Sequence, residues 1–410
     1  MKLPFGGDTV AEVVRDGVVS LQKEASRNSW EGPCNIPNKW DKGFGGLMGL
    51  AVEQVQTPSR VAVEVKGVSV TAVVSLAREV MHTERLVSGD VVLVPPNSFR
   101  LIARADDIGR WDVGPYSATA DGLNLAACDL ALGIVKVIDP NLFGMLLIRR
   151  EKYEPAVKLY REMTVSAPHS PSILNNFGVA LRELHRYQDA ETKFNEALKL
   201  MPKFPEAHYN LAVDMYEQKR LSEAIEEFRA TIALQPDNAL AHYDLGLILV
   251  STKLLDQAIP ELKTAAALSP NSSSAHMALG NALIDKDLID AAISEYREGV
   301  AVEPDSPDAH DNLGLALAKK RLLDQAIAEY KKAIDLNVHY AFPHDNLGDA
   351  YRDKGLFKDA IAEYKKAIAC DAKFAEPHRD LANIYQKLGK KREAQQENDR
   401  FGRLSNGGIE

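Results

Sequence analysis

The chain is short of cysteine, tryptophan, positive charge and long apolar runs, and each shortage closes off a class of protein. Its three cysteines, Cys34, Cys128 and Cys370, lie far apart with no metal-type spacing. A disulfide framework or a zinc knuckle is therefore not expected. No stretch approaches the roughly 20 apolar residues that a membrane-spanning helix needs. The start, MKLPFGGDTVAEVVRDG, places acidic residues where a secretory signal would be apolar, so the expectation is a cytoplasmic protein with no membrane partner. A formal net charge of -9 over 410 residues argues against an indiscriminate nucleic-acid binder, and nucleic acid is not the expected partner. No phosphate loop of the G-x-x-x-x-G-K-[ST] form and no G-x-S-x-G elbow occurs. The three tryptophans, Trp30, Trp40 and Trp111, all fall before residue 137, beyond which Ala, Leu, Lys and Glu dominate. That shift in composition suggests two regions.

What the second region has is periodicity. The nonapeptide AIAEYKKAI stands at Ala326–Ile334 and again, unchanged, at Ala360–Ile368, 34 residues on. Stepping by that period from Gly144 gives Gly178, Ala212, Gly246, Gly280, Gly314, Gly348 and Ala382, always a residue with little or no side chain. A second register is alanine throughout, from Ala156 through Ala190, Ala224, Ala258, Ala292, Ala326 and Ala360 to Ala394. A third runs Pro168, Pro202, Pro236, Pro270, Pro304 and then departs to Val338 and Ala372. Each unit reads as two amphipathic helices joined by a short turn. Gly or Ala lets two helix backbones approach closely, with Leu347 and Tyr364 filling the adjoining space. Proline in the link stops the second helix, because it lacks the amide donor and restricts the residue before it. In AIAEYKKAI the Ala and Ile residues pack inward, while Glu329 with Lys332, and Glu363 with Lys366, are expected as i, i+3 pairs on a solvated face.

The period and its three registers resemble the tetratricopeptide repeat family. The resemblance implies an α-solenoid of helix-turn-helix repeats: seven full repeats from about residue 137, and a partial eighth from Ala375 that ends in the polar capping helix KKREAQQENDRF. Residues 137–401 then form the repeat domain, 402–410 a flexible tail, and 1–136 a separate α/β domain. The histidines His208, His242, His276, His310, His344 and His378 share the period. Stacked repeats displace equivalent residues by about 10 Å, whereas the ligands of one metal converge within a few ångströms, so the row is expected to be structural and half-buried.

The family resemblance further implies that the first helices line a groove for an extended peptide or a partner helix. Its ligand-facing positions would be Tyr209 and Val213, Tyr243 and Leu247, Met277 and Asn281, Asp311 and Leu315, Asp345 and Asp349, Arg379 and Asn383. This set is apolar in the middle and mostly acidic further on, which points to a protein or peptide partner with apolar residues followed by basic ones. Some co-chaperones of this family clamp C-terminal carboxylates with Lys, Asn and Arg at these positions. Tyr, Met and Asp stand there in this chain, so chaperone tails are not the expected ligand. No cofactor is expected for the repeats.

In the first 136 residues the reading is a helix over Thr9–Ser26, a loop over Asn28–Gly46, a strand pair formed by GLAVEQV and RVAVEVKG, a helix over Ala72–Thr83, the strand DVVLVPP, and a strand or helix edge in ALGIVKVI. ADDIGRWDVG reads as a charged turn. On RVAVEVKG, Glu64 and Lys66 share one strand face, the parts that a metal-dependent nuclease uses to hold Mg²⁺ and orient water. With the surrounding order of elements this resembles the PD-(D/E)XK nuclease superfamily. That resemblance implies Glu53, Glu64 and Lys66 as catalytic residues, with Glu64 as metal ligand and Mg²⁺ as cofactor. The family's further acid on the preceding strand has no Asp here, and Glu53 is the nearest candidate. Three readings remain open: an interaction scaffold, a nuclease with the repeats as targeting arm, or a degenerate nuclease fold retained for binding.

Overall fold

The computed structural model describes residues 87–94, 98–105, 109–117, 133, 136 and 139–405. The described residues up to Pro236 belong to one compact unit and those from Asp237 to a second, so the division falls inside the repeat array.

Three strands form an antiparallel sheet in chain order: β1 Val87–Val94, β2 Ser98–Ala105 and β3 Gly109–Ser117. Val91 stands opposite Leu101, and Leu101 opposite Val113, with an irregularity between Phe99 and Leu101. The strand expected in DVVLVPP is present as β1, and it ends before the Pro-Pro pair, which has no amide hydrogens for a ladder. The charged turn expected over ADDIGRWDVG is corrected in part, because Arg110, Trp111 and Asp112 belong to β3. Apart from Ile102, SFRLIARA alternates apolar and polar residues, and Asp106 and Asp107 follow it, the pattern of a hairpin strand. Of the segment ALGIVKVI only Gly133 and Lys136 are among the described residues, and both are helical. The other helices and strands expected before Val87 lie outside the described residues.

The first unit then carries three helix pairs: α1 Pro140–Arg149 with α2 Tyr153–Ser166, α3 Pro171–Glu183 with α4 Tyr187–Leu200, and α5 Pro205–Glu217 with α6 Leu221–Leu234. The second carries five: α7 Ala239–Ser251 with α8 Leu255–Leu268, α9 Ser273–Asp285 with α10 Ile289–Val302, α11 Pro307–Lys319 with α12 Leu323–Leu336, α13 Ala341–Asp353 with α14 Phe357–Cys370, and α15 Glu376–Lys387 with α16 Lys391–Ser405. The eighth repeat is thus a full pair, and its last helix continues past residue 401 to Ser405. Of that helix only Ala394 is buried, against Tyr364, Leu381 and Ile384, as suits a surface that no further repeat covers. Among the described residues no helix is long and apolar enough to cross a membrane.

The registers have direct steric causes. A Cβ on Gly280 would sit 2.4 Å from the Tyr296 ring, one on Gly348 2.6 Å from Tyr364, and one on Gly178 2.5 Å from Phe194. Gly144, Gly178, Gly280, Gly314 and Gly348 are each the seat of an aromatic from the second helix, and Leu262 takes that seat against Gly246. The alanines from Ala156 to Ala360 are fully buried, which keeps the paired helices in contact. Each first helix ends on a left-handed residue at the same period: Glu151, His185, Lys219, Lys253, Asp287, Arg321, Gly355 and Gly389. Proline explains less than expected. α12 and α14 end at Leu336 and Cys370 without it, each on an extended capping residue, Asn337 or Asp371.

Candidate functional site

Successive first helices touch directly, α1 with α3 and α3 with α5 in the first unit, and α7 through α9, α11 and α13 to α15 in the second. Within each unit they present one continuous face. The positions named from the sequence are not equally available on it. Tyr209 is buried, edge-on to Phe228 at 5.6 Å. Asp311 is also buried, whereas Val213, Tyr243, Met277, Asp345 and Asp349 are half-buried. Leu247 and Leu315 are each 37% exposed, large apolar groups turned outward from helices whose other sides are packed. Asn281, Arg379 and Asn383 are exposed, although Asn281 accepts a hydrogen bond from the Tyr296 hydroxyl at 2.6 Å.

In the first unit the polar groups of this face largely bind one another. Asn176 Nδ2 donates to Asn141 Oδ1 (3.0 Å), Asn210 Nδ2 to Asn175 Oδ1 (3.0 Å), and Arg182 Nη1 to Asn210 Oδ1 (3.4 Å). Asn175, Asn176, Arg182 and Asn210 are all buried, so the chain of amides supplies the hydrogen bonds that burial demands. Asp214 is fully buried beside them, and burial pushes its carboxyl up to about 7 against the opposing pull of Arg182. Its Oδ1 and the Arg182 Nε lack hydrogen-bond partners.

In the second unit the same face is crowded with carboxylates. Asp345, Asp349 and Asp353 follow one stripe of α13, with Asp308 and Asp311 on α11 and Glu376 and Asp380 on α15. Arg352 Nη1 reaches Asp349 (2.5 Å) and Asp380 (3.0 Å), and Arg379 Nη2 reaches Asp380 (3.0 Å). Asn346 Nδ2 donates to Asp311 Oδ1 at 2.9 Å, and the Tyr364 hydroxyl donates to Asp349 at 2.6 Å. Asp345 Oδ1 is buried and accepts nothing. Burial, with Asp349, Asp380 and Glu376 nearby, raises its carboxyl to about 8, and burial likewise raises Asp311 to about 6. Three aromatics close one end of this surface: Tyr340 and Phe342 with ring centroids 5.9 Å apart, and Phe342 and Phe374 4.9 Å apart.

The periodic histidines are structural; His208 is half-buried as expected, and the other five are buried more deeply, His310 to 1% exposure. Each Nδ1 meets a glutamate 19 residues on: His208 with Glu227, His242 with Glu261, His276 with Glu295, His310 with Glu329, His344 with Glu363 and His378 with Glu397, at 2.5–2.8 Å. In His208 the other ring nitrogen faces the Pro202 carbonyl, so both must donate and the hydrogen bond to Glu227 raises its pKa. Glu329 and Glu363 are accordingly not simple solvated surface charges. The Glu363–Lys366 pair is present at 2.8 Å, while Glu329 turns to His310. Sequence reasoning missed these partners, although the glutamates recur at the same period. Among the described residues no group of three His, Cys, Asp or Glu side chains could hold a metal ion. Glu53, Glu64 and Lys66, the nuclease-like set, lie outside the described residues.

Tetratricopeptide repeat models match residues 141–208, 175–239, 209–273 and 307–337, and a TPR repeat model matches 280–320 and 348–389. Together these matches cover more than half of the chain. The chain is similar to YrrB, described as a TPR protein with an unusual peptide-binding site, at 23% identity over 45% of this chain and 95% of that one, with a TM-score of 0.42. It is similar to MamA at 27% identity over 40% of this chain and 97% of that one, with a TM-score of 0.39. The C-terminal part of a TPR repeat-containing protein from Cytophaga hutchinsonii is 16% identical over 57% of this chain and 96% of that one, with a TM-score of 0.49. No curated protein matches the chain.

Proposed function

Because the chain belongs to the tetratricopeptide repeat proteins, we propose that it is a cytoplasmic interaction scaffold whose first-helix face receives an extended peptide or a partner helix. The observation that carries this reading is the outward placement of Leu247 and Leu315, each 37% exposed on first helices of the second unit. Both stand at the ninth position of their repeats, alongside half-buried Tyr243 and Met277. Apolar groups turned outward at regular helix spacing are what a bound segment would cover. The partner would combine apolar with basic residues. The matches above lend nothing to the alternative of a metal-dependent nuclease, and the scaffold reading stands without it.

The test is selection of dodecapeptides from a random display library on the full chain, followed by titration of the winners against a Leu247→Arg, Leu315→Arg double variant. Both residues are already exposed, so the variant should fold, as circular dichroism would verify. Loss of about tenfold or more in affinity is expected. Undiminished binding of every selected peptide would sink the reading.

A further inference from the structure

We propose that the surface built by α11, α13 and α15 docks a basic segment, with one of its Lys or Arg side chains lying against the Phe342 and Phe374 rings and its charge at Asp345. This inference rests on the scaffold reading and names the partner chemistry for one part of the face.

Three independent features meet there. The first is shape and exposure. Phe342 is 55% exposed in the second position of α13, edge-on to Tyr340 and tilted against Phe374. An exposed ring on a helix that also carries carboxylates suits a cation, which the ring quadrupole attracts while the methylene stem covers apolar surface. The second is placement. Phe342, Asp345 and Asp349 follow at i, i+3 and i+7, so a single helix stripe presents aromatic and acid in sequence.

The third is an unmet electrostatic demand. The two guanidinium groups of the surface are already engaged, Arg352 by Asp349 and Asp380, and Arg379 by Asp380. Asp345 Oδ1 is left buried with no hydrogen-bond donor. A carboxylate oxygen so placed costs free energy until something donates to it, and a charged donor compensates best. The acids do not converge on one point, since no three of them could hold a metal ion among the described residues. A ligand with several separated cations fits better. Successive first helices lie about 10 Å apart, and a chain in the polyproline II conformation returns to the same face every three residues, about 9 Å on, so cations at every third position meet successive helices.

Protonation supports the same reading. Asp345 is raised to about 8 by burial and by Asp349, Asp380 and Glu376, with Arg379 opposing, and Asp311 to about 6 by burial and Asp308, with Asn346 opposing. An arriving cation favours the ionised forms. Binding should therefore release protons and strengthen as pH rises from 6 to 8.

The experiment measures fluorescence anisotropy of a labelled nonapeptide of the repeating triplet Lys-Thr-Leu on the full chain, with the analogue carrying Glu for Lys as control. Expected are binding of the Lys peptide alone, and a loss of about tenfold in both Asp345→Asn and Phe342→Ala. The variant Asp324→Asn should bind within about twofold of the parent. Asp324 is an exposed acid on α12 paired with Lys354, so this variant separates a site from the general attraction of an acidic protein for a cation. Failure of the Lys peptide to bind, or equal affinity for parent, Asp345→Asn and Phe342→Ala, would overturn the inference. In either case peptides that still depend on Leu247 and Leu315 would leave the scaffold reading intact.

Discussion

The two units use the same joints between repeats and fill them with different chemistry. In each, a side chain at the sixth position of one first helix donates to the fifth position of the preceding one: Asn176 to Asn141 and Asn210 to Asn175 in the first unit, Asn346 to Asp311 in the second. In each, an arginine at the twelfth position reaches the sixth position of the next repeat, Arg182 to Asn210 and Arg352 to Asp380. Where the acceptors are amides, donors and acceptors come close to balancing and the network acts as structural cement. Where they are carboxylates, charge is left over. Geometry alone therefore does not say whether a polar row holds the fold together or waits for a ligand; the balance of donors against acceptors does.

The comparison can be broken most forcefully beneath the face, where the units should not differ at all. Phe194→Ala in the first unit and Tyr330→Ala in the second both empty the seat opposite a helix glycine. Each should cost about 3–5 kcal/mol in chemical denaturation, with similar values in both units. A marked inequality would mean that the repeats are not equivalent in their interiors.

The next test sharpens the electrostatic half. The Asp345 carboxyl is raised to about 8, above its unfolded value, so the folded chain loses stability as pH climbs from about 4 to 8 and that group ionises first in the unfolded state. Asp345→Asn should therefore raise the melting temperature by a few degrees at pH 8 and leave it unchanged near pH 4. A variant that is less stable at pH 8 would show Asp345 to be cement after all. A substitution that stabilises the protein while weakening peptide binding would mark a residue kept for its ligand.

The smallest effect lies at the turns. Asp287 holds φ 59°, a left-handed conformation that burdens any residue with a Cβ, whereas Gly355 fills the equivalent place with no atom within 4 Å of where a Cβ would go. Asp287→Gly should gain, and Gly355→Ala lose, about 1 kcal/mol by thermal unfolding. Opposite signs at equivalent positions are the expected outcome.

Much of this architecture was legible because a repeat writes its rules several times. The glycine and alanine registers foretold the close helix contacts, and the structure supplies the aromatic, or at Gly246 the leucine, that each register glycine faces. The glutamates opposite the histidines were just as periodic. They went unread because Glu329 and Glu363 also fit an ordinary i, i+3 pair with a lysine. Placement on the face was harder to foresee. Tyr209 and Asp311 are buried although the equivalent Tyr243, Met277 and Asp345 are half-buried and Arg379 is exposed, because exposure there depends on how the next repeat leans on each helix. The contacts between Arg352 and Asp380, or Tyr340 and Phe342, join different repeats and follow from that stacking, which no single repeat encodes.

Identical left-handed turns and identical seats every 34 residues have one more consequence. Excising Ser273–Ser306 would bring Ser272 directly before Pro307, a serine cap ahead of a helix-starting proline, as Ser306 provides now. The new neighbours would meet through the same glycine, alanine and aromatic positions as the old. Length in this molecule is therefore a number of modules that can be changed by one without redesigning the rest, and the separation between the apolar and acidic stretches of the second unit would shorten by a single step.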